Sequence, residues 1–213
     1  MFTAEAVMIL KNEGKIDYDV DIREYIPEFP YEGITPRLLL NHRSGLSRYE
    51  SLADAKWPDR KRPFLNEDMI EYYAKYQPTP YFKPDNGFNY SNANYALLAS
   101  IVERVTGTSF PDFMKERIFK PLGMNNSYIY KMRPDTLVSA YLENVVQGYY
   151  MDRRRPMQAP NEYLNGVKGD KIMISNTEDM FKFWTAVDYG LLVPDSIQDE
   201  AFKPGSPKSR KRK

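Results

Sequence analysis

The segment from Pro84 to Gly107 constrains the fold most, because it joins a turn to a strongly periodic helix. Its first four residues, 84–87, are Pro, Asp, Asn and Gly, which favour turns. Apolar residues then recur at helical spacing before a glycine at a typical helix end: Tyr95, Leu98, Ile101, Val102 and Val105. Polar Tyr90, Ser91 and Asn92 therefore lie where the turn becomes the helix, near its first free N–H groups.

Two interpretations of this junction are open from its own residues. Asn or Ser at a helix start commonly caps the helix, and a tyrosine beside it commonly packs half-buried. Alternatively, a phenol and an amide at the N-terminus of a helix can hold a reacting group. These few residues favour the first interpretation, so the decision depends on the rest of the chain.

Composition excludes several kinds of site and partner. The 213 residues, 42% of them hydrophobic, are enough for a substantial core. A formal net charge of +1 gives no global attraction to nucleic acid, and no segment approaches the roughly 18 apolar residues of a membrane span. The lack of cysteine excludes thiol catalysis and zinc–thiolate sites, and a single histidine, His42, argues against a histidine-based metal site. We therefore expect no cofactor and no metal.

The junction FNYSN, residues 88–92, resembles the Tyr-x-Asn element of the penicillin-recognising serine hydrolases. That family includes class C β-lactamases, D-alanyl-D-alanine carboxypeptidases and related esterases. Four more segments resemble the same family: KIDYDVDIREYIPEFP from residue 15, ITPRLLLNHRSGL from residue 34, TSFPDFMKERIFKPLGMNNS from residue 108, and GDKIMISNTEDMFKFW from residue 169. The third of these is the longest near-match, and the resemblance runs through nearly the whole chain.

The resemblance implies acyl transfer that uses a Ser-x-x-Lys, the Tyr-x-Asn element and a Lys-Thr-Gly or His-x-Gly on a strand. The serine attacks a carbonyl, and the lysine and tyrosine move its proton. By this resemblance Tyr90 corresponds to the general acid/base, and Asn92 to the amide that binds the substrate and the lysine. The implied substrate is a small molecule or a peptidoglycan-like compound: a lactam, a D-alanyl peptide or an ester.

The other two motifs are absent from the sequence. None of the twelve serines is followed three residues later by lysine. The segment 203–205, Lys-Pro-Gly, fits Lys-x-Gly, but its proline cannot pair within a strand. We expect the nucleophile to lie just upstream of Met1 and the chain to be a truncated β-lactamase-related hydrolase, inactive alone. The alternative is a non-catalytic module of the same fold that binds a peptide or a glycan.

A second nucleophile hypothesis concerns Ser44 and His42, which lie close together in sequence. No Gly-x-Ser-x-Gly elbow surrounds Ser44, and in the family this segment is a structural turn. We therefore predict that His42 is a hydrogen-bonded anchor. In the segment from residue 169, Ile172 stands where the family has a glycine, so the resemblance does not fix the backbone path there.

The predicted fold is mainly α, the helical domain of the β-lactamase/transpeptidase-like α+β fold, with a few short strands. The family's antiparallel sheet is expected to be largely absent. The predicted segments are helices over 2–13, 67–76, 110–120 and 179–188, a helix starting at Pro36 after the cap Thr35, an irregular surface segment over 47–65, and short strands or a lid over 125–168. Asn66 is predicted to cap the helix over 67–76.

Residues 1–203 are predicted to form this domain, and residues 204–213 a basic, disordered tail. The tail has the charge of a nucleic-acid patch, but no apolar residue follows Phe202 to fix it, so we expect no nucleic-acid partner. The face that would pack against the family's sheet should be exposed and available for self-association. The N-terminus lacks a basic start and carries Glu5, unlike a signal peptide. The family is usually exported, so the compartment stays open.

Overall fold

The computed structural model describes residues 1–130, 132, 145–146, 148–159 and 162–205. This part of the chain is mainly helical, as predicted. The α-helices are α1 (Phe2–Asn12), α2 (Pro36–Leu40), α3 (Tyr49–Lys56), α4 (Asn66–Tyr76), α5 (Asn92–Thr106), α6 (Phe110–Met114), α7 (Thr177–Asp188) and α8 (Asp195–Phe202). Short 3-10 helices span Ile22–Glu24 and Tyr163–Gly166, and a π-helical turn, Lys115–Phe119, follows α6.

The strands form two small antiparallel pairs. The strands are β1 (Tyr128–Ile129), β2 (Tyr149–Asp152), β3 (Arg155–Gln158) and β4 (Met173–Ile174). β1 pairs with β4, whereas β2 and β3 form a hairpin. Arg153 and Arg154 make the hairpin turn with φ of 43° and 71°, because a two-residue turn that matches the strand twist needs positive φ. The described residues thus contain short strands but no larger sheet, which confirms the predicted fold class.

Helix α5 lies at the centre of the core. Six of its apolar side chains are fully buried: Ala93, Ala96, Leu97, Leu98, Ile101 and Val102. A helix that is apolar over most of its circumference must be covered by neighbours, and α5 contacts α1, α2, α4 and α6. It ends at Gly107, whose φ of 65° is the left-handed conformation of a helix C-cap. The start of α5 is therefore fixed from several sides.

Helix ends follow the local sequence in most places. The Thr35 side chain caps α2 by accepting from the Leu38 N–H, and Ser109 caps α6 by accepting from the Asp112 N–H. The prediction that Asn66 caps α4 is wrong, because the N-cap is Leu65. The Asn66 side chain instead bonds the Lys168 backbone, a contact across 102 residues that local sequence does not show.

Two predicted segments differ in detail. The helix predicted over 110–120 changes to a π-helical turn after Met114, and this wider turn lets adjacent Ile118 and Phe119 both face the core. The irregular segment predicted over 47–65 contains α3, whose residues Tyr49, Leu52 and Ala53 are buried at helical spacing.

Large apolar side chains are exposed on α7, on α8 and in the segment between them. They are Phe181, Trp184, Tyr189, Leu191 and Phe202, each between 45% and 76% exposed. Of the predicted tail, 204–213, residues 206–213 lie outside the described residues. In the described part of the chain, every helix is too short or too polar to cross a membrane.

Candidate functional site

The backbone at Ser91 places Tyr90 and Asn92 side by side. Ser91 is the N-cap of α5 and is extended, with φ −140° and ψ 126°. Side chains on either side of an extended residue point the same way, so Tyr90 and Asn92 share one side while the Ser91 side chain is buried on the other. Tyr90 is 64% exposed, so its phenol is accessible to a ligand.

His42 holds the junction of residues 90–92 through hydrogen bonds and ring contacts. Its Nδ1 accepts hydrogen bonds from the Ser91 N–H at 3.3 Å and from Asn94 Nδ2 at 3.0 Å. Its ring lies between two tyrosines, 4.4 Å from the Tyr90 centroid and 5.1 Å from that of Tyr95. Burial lowers the pKa of His42, which favours the neutral ring that can accept both bonds. His42 is thus a hydrogen-bonded anchor, as predicted.

Ser44 belongs to the same support and not to a nucleophile pair. It is 1% exposed, and its Oγ donates to Asn94 Oδ1 at 2.6 Å and accepts from the Leu46 N–H. A substrate carbonyl has no access to a hydroxyl that is buried and used in this way. The structure therefore argues against Ser44 as a nucleophile.

The turn before Tyr90 is tied to the segment that carries His42. Arg43, which is 6% exposed, donates from Nε to Asp85 Oδ1 at 2.6 Å, and the Asn89 N–H donates to the His42 carbonyl at 3.0 Å. A Cβ on Gly45 would lie 2.0 Å from the Phe82 carbonyl oxygen, so only glycine fits beneath this turn. Two chain segments thus hold Tyr90 in place.

Asn92 contacts a carboxylate that the sequence did not mark. Its Nδ2 donates to Glu50 Oε1 at 2.7 Å. The other carboxylate oxygen, Oε2, is buried and has no hydrogen-bond partner, and the nearest cation is Arg48, whose Nε lies 3.7 Å away. Glu50 lies in the first turn of α3, 42 residues from Asn92. No local pattern connects the two, so only the fold reveals the pair.

A second polar chain lies beside Glu50. Lys171 Nζ donates to the Tyr49 hydroxyl at 2.6 Å, and that hydroxyl donates to Asp170 Oδ2 at 2.7 Å. The Asp170 side chain is 1% exposed, and its Oδ1 is buried without a hydrogen bond. Burial raises the pKa of Tyr49 and of Asp170, which keeps the phenol protonated as the donor between them.

The segment 169–172 packs against the start of α1 and the side of α5. Thr3 Oγ1 donates to the Gly169 carbonyl at 2.6 Å, and Gly169 has φ of 100°. Ile172, at the position where the family has a glycine, has φ of 63°, a left-handed conformation that favours glycine.

Other features of the surface add little to the site. A groove of about 530 Å³ lies between α1, α2 and α8, lined by residues such as Met8, Arg37, Tyr95 and Glu200, but not by Tyr90 or Asn92. In the described residues no group of three or more His, Asp or Glu side chains could hold a metal ion.

Comparison with known proteins decides the family. The family described as Beta-lactamase matches residues 1–210. The chain belongs to the beta-lactamase family. Penicillin-binding protein 4* of Bacillus subtilis (strain 168) is 34% identical over 212 residues, which cover 95% of this chain and 46% of that protein. The chain thus spans about half the length of the curated relatives it matches.

Solved structures agree with this beta-lactamase family assignment. The D-stereospecific amidohydrolase from Streptomyces sp. superposes with a TM-score of 0.80 at 26% identity, over 95% of this chain and 62% of that one. The D-amino acid amidase from Ochrobactrum anthropi SV3, solved with D-phenylalanine, gives a TM-score of 0.74 at 23% identity, over 92% and 56% of the two chains. The second match supports the fold alone.

Proposed function

We propose that this chain supplies the general acid/base, Tyr90, and the substrate-binding amide, Asn92, of an acyl-serine hydrolase. The observation that carries the proposal is the extended backbone at Ser91, which places both side chains on one side. The hydrogen bonds of His42 with the Ser91 N–H and with Asn94, both partly buried, support that geometry. A hydrolase of this kind needs a positioned group that takes the proton of the nucleophile and returns it to the leaving group. The exposed phenol of Tyr90 suits that role.

Asn92 suits the binding role because its amide has hydrogen-bonding capacity left. One N–H of Nδ2 is used by Glu50, which fixes the amide plane. The second N–H and the carbonyl oxygen have no protein partner among the described contacts, so they can bind a substrate amide. Tyr90 and Asn92 would then act on the same ligand, one on the proton and one on the orientation.

The substrates proposed are compounds with a D-configured acyl group: a lactam, a D-alanyl peptide of the peptidoglycan type, or an ester. The names of a penicillin-binding protein and a D-stereospecific amidohydrolase among the relatives support this class. No serine of these 213 residues lies in a Ser-x-x-Lys. We therefore propose that the 213-residue chain binds such ligands without forming an ester.

Ligand-observed NMR with D-alanyl-D-alanine and its L,L isomer tests the proposal. The wild-type chain should bind the D,D isomer at least about fivefold more tightly. Asn92→Ala should raise the Kd about tenfold, or ~1.4 kcal/mol, because it removes the orienting amide. Asn12→Ala, at the exposed end of α1, is the matched control. Equal binding of the isomers, or equal effects of the two variants, would contradict the proposed function.

The second candidate function is a non-catalytic module that binds a peptide or a glycan. Such a module forms no covalent bond with its ligand, whereas an acyl-serine hydrolase does. The module would bind in the same experiment but would not support acylation when a nucleophile is supplied. We also propose self-association through the surface that would pack against the family's sheet. The exposed apolar residues of α7 and α8, Trp184 among them, are candidates for that surface, because exposed apolar patches commonly mark interfaces. Sedimentation velocity of the wild type and Trp184→Lys tests this: the variant should be the more monomeric of the two.

A further inference from the structure

The β2–β3 hairpin is an exposed ribbon of two strands. All eight of its strand residues are exposed, so the described part of the chain covers neither face of the hairpin. An isolated two-stranded hairpin is only marginally stable in water, and a further strand stabilises it. A third strand adds only along an outer edge whose backbone N–H and C=O groups are free. The backbone groups on the two outer edges therefore decide what the hairpin can bind.

The register of the hairpin shows which backbone groups point outward. The Ala159 N–H donates to the Gly148 carbonyl at 2.8 Å, so residues 148 and 159 form a hydrogen-bonded pair. Hydrogen-bonded and non-hydrogen-bonded pairs alternate along two antiparallel strands. The non-hydrogen-bonded pairs, whose N–H and C=O groups point away from the other strand, are Tyr149–Gln158 and Met151–Pro156. Each outer edge thus presents two residues to a third strand.

The two edges differ in their ability to pair. On β3 the outward position of Pro156 has no N–H, and Arg155 beside it is charged, two features that hinder strand addition. On β2 the outward residues are Tyr149 and Met151, which are uncharged and 64% and 67% exposed. Among the described residues, the outward N–H and C=O groups of these two have no hydrogen-bond partner. The β2 edge is therefore the edge that accepts a strand.

Three consecutive arginines give the tip of the hairpin a positive charge. Arg153 and Arg154 form the turn and Arg155 begins β3, and all three are exposed. No ion pair with a described residue neutralises them, whereas Arg37 binds two carboxylates. Asp152, at the end of β2, offsets one of the three charges, so the tip keeps an excess of positive charge that favours an acidic partner.

We infer that the β2 edge binds an extended, acidic segment of a partner protein as a third strand. The backbone of this segment pairs with Tyr149 and Met151, and its carboxylates lie beside the arginines of the hairpin tip. Addition of a strand to a free sheet edge is a common mode of peptide recognition, in which backbone hydrogen bonds give affinity and side chains give specificity. The inference goes beyond the proposed function, because it uses neither Tyr90 nor Asn92.

Fluorescence anisotropy with labelled synthetic peptides tests the inference on the 213-residue chain. The probe is acetyl-EETVYVTEE-amide, and the controls are acetyl-KKTVYVTKK-amide and the acidic peptide N-methylated at its three central residues. The acidic peptide should bind at least about tenfold more tightly than either control, because one control reverses the charge and the other lacks the central backbone donors. Failure of the acidic peptide to bind, or binding equal to that of either control, would overturn the inference.

Met151→Pro tests the edge. It removes an outward N–H that the hairpin itself does not use, so the hairpin can form while strand addition is blocked. The Kd of the acidic peptide should rise at least about tenfold. Met151→Ala keeps the N–H and is the matched control, with a Kd within about twofold of that of the wild type. Equal Kd values for the two variants would show that the peptide does not add as a strand.

Arg153→Asn combined with Arg154→Gly tests the charge. Asn-Gly is the favoured pair for a two-residue turn with positive φ, so the hairpin is kept while two charges are lost. The Kd should rise about fivefold, the effect of two exposed ion pairs. The control, Arg60→Asn with Lys61→Gly, removes the same charge from another exposed turn and should leave the Kd unchanged. An equal rise in both double variants would contradict a role for the hairpin tip.

A second copy of this chain is the other occupant to be distinguished at the β2 edge. Sedimentation velocity without peptide makes the distinction, and the inference predicts the same oligomeric state for the wild type and Met151→Pro. A dimeric wild type with a monomeric Met151→Pro would assign the edge to a second copy and would overturn the inference of an acidic partner.

Discussion

The imidazole of His42 lies 4.4 Å from the phenol ring of Tyr90, at an interplanar angle of 36°, and its Nδ1 accepts the N–H of the next residue, Ser91. A single side chain thus sets both the ring position and the backbone direction at the candidate site. Because His42 itself has φ of 54°, its own backbone is part of this arrangement. The site is thus supported by a half-buried acceptor and not by the surface loop alone.

His42→Ala should destabilise the protein by about 2 kcal/mol, because the Ser91 N–H and the Asn94 amide lose their acceptor in a partly buried place. His42→Asn should cost less, since asparagine tolerates positive φ and brings an amide oxygen. Urea denaturation of both variants measures the difference. Equal stability of the wild type and His42→Ala would show that these contacts do not hold the site.

Gly169→Ala should lower the free energy of unfolding by more than about 2 kcal/mol. A Cβ there would lie 2.4 Å from the Tyr95 carbonyl oxygen and 2.5 Å from the Ala99 Cβ, and φ is 100°. The control is Gly14→Ala, which also has positive φ, 70°, but no atom within 4 Å of the new Cβ, and should cost about 1 kcal/mol. Similar losses for the two variants would mean that segment 169–172 does not pack on α5 as described.

Glu5 should make stability depend on pH. Burial raises its pKa from 4.5 to about 7, so the folded state holds a proton that the unfolded state has already released. Its contribution to stability is present at low pH and is lost as pH rises from about 4.5 to 7. Glu5→Gln has no titrating carboxyl group and lacks this loss. The free energy of unfolding of Glu5→Gln relative to that of the wild type should therefore increase by about 3 kcal/mol between pH 4.5 and pH 8.

Chemical denaturation at the two pH values measures this gain, with Glu71→Gln as the exposed control. The Glu71 variant should follow the wild type at both values. A Glu5→Gln curve parallel to that of the wild type would show that Glu5 is solvated in the folded protein.

Tyr90→Phe should slow proton transfer without loss of binding, because it removes the phenol hydroxyl and keeps the ring. The test replaces the matching part of the B. subtilis penicillin-binding protein with this chain, so that the relative supplies the nucleophile. Acylation by a fluorescent penicillin should then fall about 100-fold in Tyr90→Phe. Tyr81→Phe, another exposed tyrosine of the preceding segment, should acylate normally. Equal rates for the two variants would remove Tyr90 from the reaction, and binding without any acylation would favour the non-catalytic module.

The sequence predicted those parts of the fold that depend on local signals. Thr35 and Ser109 at helix starts and Gly107 at a helix end act as their residue types suggest. Asn66 has the same chemistry as a cap, yet it bonds Lys168, because a long-range partner outweighs a local one. Local propensity cannot show such a contact.

The candidate site likewise contains residues that local sequence predicts and residues that only the fold brings to it. Tyr90 and Asn92 are recognisable because their spacing forms a motif within three residues. Glu50 and Asp170 were not recognised, because they join the site only after α3 and the segment from Gly169 have packed against α5. The segment 47–65 is predicted to be irregular, so the sequence gives neither the helix α3 nor the burial of Glu50 within it.

The most direct measurement is an NMR titration of the ¹⁵N-labelled chain with D-alaninamide. The account predicts that the largest shift changes occur at the backbone N–H groups of Tyr90, Ser91 and Asn92 and at Glu50. Changes confined to the groove between α1 and α8, around Met8 and Glu200, or an absence of saturable changes, would contradict the assignment of the site to Tyr90 and Asn92.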